Sequence, residues 1–295
     1  VVRALSVLLS VLSFVLATPG AGAAQDVDPL WRSSYRGAGW ADALVIGIAG
    51  GVYFGDSYLV PHRSSAVWEG PILLDGPIRD LTVLETRASR ERAATVSDYL
   101  FTGSVLHNLV FDNLLVAWAL HGDPRAAFHM SVANVEAYAV AGALSAVVKT
   151  AAGRERPFGR ECRRDPGYTG LCGAPTAYRA FFSAHATTTA VGAGLLCAHH
   201  LHMPLYGNRA LDWAACGAGV GMTIVTGALR LTSDRHWFSD VAAGHLVGFA
   251  AGYLVPTLLF YEWGREEAGD ADDTVTAFVP VFASGQIGAR LVAFY

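Results

Sequence analysis

Residues 211–262 read LDWAACGAGVGMTIVTGALRLTSDRHWFSDVAAGHLVGFAAGYLVPTLLFYE. Two apolar stretches of helical length, 211–230 and 239–262, flank one polar joint. At about 1.5 Å per residue, each is long enough to cross a bilayer. Further apolar stretches recur near 41–54, 101–120, 130–150 and 184–202, with polar or Pro/Gly-rich joints between them. The amphipathic, charged segment LTVLETRASRERAATVSDYL adds a helix over Arg79–Leu100. The expected fold is all-α, a bundle of about six to seven helices.

Composition sets the bounds. The chain has 295 residues, 53% hydrophobic and 16% charged, with mean hydropathy +0.35. These values exclude a disordered chain, a collagen-like repeat and a small disulfide scaffold. The net charge of −4 leaves no basic field for nucleic acid. All the basic residues but Lys149 are arginine.

The two ends read differently from the body. Residues 1–24 have the layout of a signal peptide, with Arg3 before an apolar run and a small-residue cleavage site near Ala23 or Ala24. This predicts export, to the periplasm or the outer face of the inner membrane. At the other end, 264–295 combine an acidic linker with two short strands around Ser284-Gly285, a β-hairpin with Pro280 on an edge. Between them lie an N-terminal segment with the first helices, 25–97, and a core, 98–263. The stretch 41–54 is short for a membrane span, and 101–120 carries His107, Asn108, Asp112 and Asn113. The expectation is therefore an exported bundle that touches the membrane.

Three stretches carry chemistry. Lys149 opens KTAAGRERP, with Arg156 seven residues on and Pro157 next. Two turns of helix would put both cations on one face, after which Pro157 starts a loop of about 25 residues. A solvated basic helix end is the plainer reading. Within that loop, Cys162 and Cys172 are a candidate disulfide. Cys197 and Cys216, in apolar helical stretches, read as small buried hydrophobes. Next comes FFSAHATTTAVGAG, where Ser183 caps a helix and leaves backbone N–H groups at Ser183, Ala184 and His185 for an anion. In LRLTSDRHWFSDVAAG, Arg230 ends one helix, and His236 opens the next with Asp240 four residues on. That spacing lets the carboxylate orient the imidazole, although an ordinary i,i+4 pair looks the same.

Together the three stretches suit phosphoryl transfer. Lys149, Arg156, Arg230 and the helix start at Ser183 and Ala184 can bind the phosphoryl oxygens. His236, oriented by Asp240, can attack phosphorus, and His185 can protonate the leaving oxygen. No metal or other cofactor is called for.

The sequence resembles the type 2 phosphatidic acid phosphatase/haloperoxidase superfamily. Its signature is K-x6-R-P, then P-S-G-H, then S-R-x5-H-x3-D. Lys149, Arg156 and Pro157 match the first element, Ser183 and His185 the second, and Arg230, His236 and Asp240 the third. Phe182, Ala184 and Leu229 depart from it. The resemblance, over about 98–262, implies a helical bundle, a phosphohistidine on His236, His185 as general acid and no metal. It implies a phosphatase acting on a phosphorylated small molecule or lipid, such as phosphatidic acid or a polyprenyl diphosphate. Alternatives are a vanadate-dependent haloperoxidase, with vanadate in the phosphate site, and a non-catalytic envelope protein that binds phospholipid.

Other residues carry blander expectations. His199, His200 and His202 read as a solvated helix end, and His245 as a packed histidine. Trp31, Tyr35, Trp40, Tyr53 and Phe54 form either an interfacial belt or a core edge. Asp112 and Glu136 are expected to pair internally.

Overall fold

A computed structural model of the chain describes residues 29–262, and the backbone of 275–283 and 286–294. The expected signal segment 1–24 and the acidic linker lie outside the described residues. Among the described residues there are eight α-helices: α1 (Trp40–Tyr58), α2 (Asp75–Thr82), α3 (Arg87–Leu106), α4 (Pro124–Ala152), α5 (Pro157–Arg164), α6 (Ala184–His202), α7 (Arg209–Thr232) and α8 (Phe238–Pro256). α3 and α8 run on as π-helix over His107–Leu120 and Thr257–Tyr261.

Local chemistry sets the helix ends. Thr86 caps α3 by accepting from Ser89 N (3.1 Å), and Asp123 caps α4 from Ala126 N (2.8 Å), with Pro124 at the first position. Asn208 caps α7. α4 stops at Gly153, whose φ of 49° is in the left-handed region that glycine enters without strain.

The core is built around α6, which is buried along nearly its whole length and packs on α8, α7, α3 and α4. Gly244, Gly248 and Gly252, each four residues apart, form a flat stripe on α8 facing α6. A Cβ on Gly248 would sit 2.2 Å from Thr187 O, and one on Gly252 2.1 Å from Val191 O. Only bare backbone permits this approach, which is how helices pack closely within membranes. The contact holds the N-terminus of α8 beside that of α6, and Ser183 N donates to Asp240 O (3.0 Å).

The expected fold needs correction. The body has eight helices rather than six to seven, and among the described residues no strand enters it. The strands Val275–Ala283 and Gln286–Phe294 pair only with each other, so the fold class is that of an all-helical body without a hairpin as part of it. The helix expected over Arg79–Leu100 is broken at Val83–Thr86, where Val83 is extended and Thr86 begins a new cap. Pro157 opens a short helix instead of a loop, since proline suits a first helical position. Cys197 and Cys216 are bonded to each other, tying α6 to α7, and Cys162 is bonded to Cys172.

Four helical segments are long and apolar enough to cross a membrane: Arg87–Leu120, Pro124–Ala152, Arg209–Thr232 and Phe238–Tyr261. The polar residues that made 101–120 a doubtful span turn inward, with Asn108, Asp112 and Asn113 buried. Large apolar side chains face out instead, among them Trp118, Val147, Ile224 and Leu246. Such a surface marks association with membrane or protein. The aromatic residues near the start divide. Trp31 and Tyr35 join a core with Phe260 and Tyr261, while Trp40 is 80% exposed. His199 and His200 are fully buried, not solvated: His199 bonds Asn134 Oδ1 (2.6 Å) and His200 bonds Asp212 Oδ1 (2.6 Å).

Candidate active site

The C-termini of α4 and α7 and the N-termini of α6 and α8 meet at one end of the bundle, and the sequence-predicted residues meet there with them. Lys149, in the last turn of α4, is buried and donates to Ser145 Oγ (2.9 Å) and to the carbonyl of Phe182, just before α6. Arg156 does not share a helix face with Lys149, because α4 ends at Ala152. It sits in extended backbone ahead of α5 and reaches the site from the side. Its Nη1 donates to Arg235 O (3.0 Å) and lies 3.2 Å from His236 Nε2.

The state of His236 is read from that last contact. A guanidinium only donates, so Nε2 must offer its lone pair and Nδ1 must carry the proton. Nδ1 lies 3.5 Å from Asp240 Oδ2. His236 precedes α8 by two residues rather than opening it, and Trp237 N donates to Asp240 Oδ2 (2.9 Å). Burial, then Arg156, Arg230 and Lys149, push His236 well below the usual imidazole range. His236 is therefore neutral.

His185 and Arg230 share a partner that sequence reasoning missed. Asp98, on α3, accepts from His185 Nε2 (2.7 Å) and stands 3.5 Å from Arg230 Nη1. Arg230 also donates to Ser97 Oγ (3.0 Å). Burial and the Arg230 charge lower His185 to about 4, with Asp98 opposing them. Ser183 differs from expectation. Its backbone N–H is taken by Asp240 O, and its Oγ accepts from Ala186 N (3.4 Å). The first intrahelical bond is Thr187 N to Ser183 O, so the Ala184 and His185 amides are the helix-start donors ahead of it.

A second missed residue is Arg154. Fully buried, it bridges Asp75 at the start of α2 and Asp240. The GRER run shows two arginines, but only the fold tells which one turns inward, since Asp75 lies 79 residues away. The corner carrying His236 is held in turn by Arg79, bidentate to Asp234 (2.7 and 2.9 Å), and by Tyr168 Oη on the same carboxylate (2.9 Å). Tyr168 belongs to the loop closed by Cys162–Cys172. A cavity of about 1060 Å³ opens beside that loop, toward Ser57–Ser64, and neither histidine lines it.

Two histidines in different environments, three cations and the start of a helix, gathered at one end of a helical bundle, define an anion site suited to group transfer. Residues 132–264 match the family model of the PAP2 superfamily, in agreement with the resemblance to the type 2 phosphatidic acid phosphatases. Asp75, Ser97 and Asp98 lie outside the matched residues. Comparison with curated proteins and with solved structures gave no match. The match points to a hydrolase of phosphatase type or to haloperoxidase-like chemistry on phosphorylated small molecules or lipids.

Proposed function

We propose that the chain hydrolyses phosphate monoesters, lipid phosphates such as phosphatidic acid or a polyprenyl diphosphate among them, through a phosphohistidine on His236. The observation that carries this reading is the 3.2 Å contact of Arg156 Nη1 with His236 Nε2, which aims a lone pair at the place where a cation would hold a phosphoryl oxygen. Lys149, Arg156, Arg230 and the Ala184 amide bind the phosphoryl group. Ser183 adds its hydroxyl hydrogen, since its N–H is already spent.

Nε2 attacks phosphorus, the bond to the ester oxygen breaks, and that oxygen takes a proton from His185. The positive charge left on the His236 ring is matched by Asp240. Neutral His185 then takes a proton from water, whose oxygen attacks phosphorus and releases phosphate and free His236. His185, lowered to about 4 by burial and Arg230, is neutral near pH 7. An arriving phosphate dianion replaces the burial penalty with attraction and raises its affinity for the proton.

The lipid part of the proposal is supported by the four apolar helices and the outward apolar side chains of the same bundle. Export is supported by the two disulfides, which persist in oxidising compartments. The site would face that compartment, because Tyr168 of the Cys162–Cys172 loop holds Asp234, two residues before His236. The test is an assay of detergent-purified protein in excess chelator with p-nitrophenyl phosphate and with phosphatidate. Hydrolysis of either is expected, and H236A abolishes it. No hydrolysis, or activity surviving in H236A, overturns the reading.

A further inference from the structure

We propose that Arg154, anchored by Asp75, is a positioning residue that acts through Asp240 to hold His236 in its Nδ1–H tautomer. The proposal rests on the reading of His236 as the attacking group.

Arg154 has no exposed surface, and its guanidinium lies 3.9 Å from the centre of the Trp68 ring. Nη1 donates to Asp240 Oδ1 (2.5 Å) and Ser239 Oγ (2.7 Å), and Nη2 to Asp75 Oδ2 (2.5 Å). Asp75 is itself fixed, accepting from Ile72 N (2.9 Å) and Ser239 N (2.8 Å). One oxygen of Asp240 is therefore held by Arg154 and the other by Trp237 N. Two donors on opposite oxygens fix the carboxylate plane, and with it the oxygen that faces His236 Nδ1.

Orientation gives the arrangement its purpose. With Oδ1 held by Arg154, Asp240 keeps Oδ2 3.5 Å from His236 Nδ1. A carboxylate oxygen fixed there favours a proton on Nδ1, as it favours the cation formed when Nε2 bonds to phosphorus. A guanidinium that merely tied residues 68–75 to α8 would have no such effect on the ring.

The ring itself supplies the test. In detergent-solubilised protein labelled with ¹⁵N-histidine, the nitrogen shifts of His236 report which nitrogen bears the proton. The wild type is expected to show a single Nδ1–H form, and R154Q a mixture of both tautomers. R154K, which keeps a charged donor for Asp240 Oδ1, restores part of the Nδ1–H signal. If R154Q does not fold, D75N loosens Arg154 while keeping an isosteric side chain, and shifts the ring in the same direction. In the assay, R154Q lowers kcat about tenfold or more, with KM changed less than about twofold. In a D240N background the same substitution costs nothing further. An unchanged His236 spectrum in folded R154Q or D75N, or an undiminished cost in D240N, overturns the proposal. A tautomer that follows Arg154 in a protein hydrolysing no phosphate ester upholds the positioning and rejects the phosphatase reading alone.

Discussion

His185 Nε2 and Asp98 Oδ1 are 2.7 Å apart, and the same carboxylate oxygen stands 3.5 Å from Arg230. Asp98 thus ties the proposed acid to one of the proposed phosphate ligands. Burial and Arg230 hold His185 at about 4, so its protonated form is present below that pH and lost above it. The pH dependence of kcat/KM should therefore fall about tenfold per unit on the basic side, giving an acidic optimum. The basic limb of kcat should lie at higher pH, because bound phosphate favours the imidazolium. D98N removes the one neighbour that raises His185, so both limbs move to lower pH. A flat profile from acid to neutral pH, or an upward shift in D98N, contradicts the assignment.

Arg156 offers a sharper test of geometry. Its fork serves Thr176 O, Arg235 O and His236 Nε2 at once. Lysine keeps the charge but cannot reproduce the fork. R156K should lose about a hundredfold in kcat/KM, with unaltered thermal stability. Activity within about threefold of wild type would show that charge alone suffices there.

The two disulfides should separate when removed. Cys162–Cys172 closes the loop whose Tyr168 holds Asp234, two residues before His236. C162S/C172S should lower kcat while the bundle stays folded. Cys197–Cys216 spans 19 residues between α6 and α7, at a distance from the site. C197S/C216S should cost about 3 kcal/mol of stability, read by thermal unfolding, with kcat of the folded fraction unchanged. The reverse pattern would show that the loop does not brace the site.

Gly248 tests the contact that joins the two histidine-bearing helix starts. Its absent Cβ would fall 2.2 Å from Thr187 O, backbone that cannot yield. G248A should push α8 from α6, lowering both activity and thermal stability. Normal values for both would mean the helices can part without moving Asp240 from Ser183.

Much of this site was legible in the sequence because its side chains come in short runs. Lys149, Arg156, His185, Arg230 and His236 were named from spacing and are gathered at one end of the bundle. What was not legible depends on distant backbone. Asp98, exposed on a charged helix, looks like any solvated acid until α3 lies beside α6. Arg154 is one of two arginines in GRER, and its partners Asp75 and Asp240 lie far off in the chain. Ser183 was read correctly as a cap, yet its N–H goes to α8, a contact no local pattern encodes. The stripe Gly244, Gly248, Gly252 takes its meaning only from the helix it faces. The buried histidines at the far end of α6 show the same limit: the sequence there holds three histidines, while the acids and amide that bury them come from other helices.

The central claim is covalent attachment of phosphate to His236. Mixing the protein with excess phosphomonoester and quenching in alkali, which preserves phosphohistidine, allows the modified peptide to be identified by mass spectrometry. One phosphoryl group on the peptide containing His236 is predicted, absent in H236A and accumulating further when H185Q slows its release. Steady hydrolysis with no phosphorylated peptide, or with the phosphoryl group on another residue, contradicts the account.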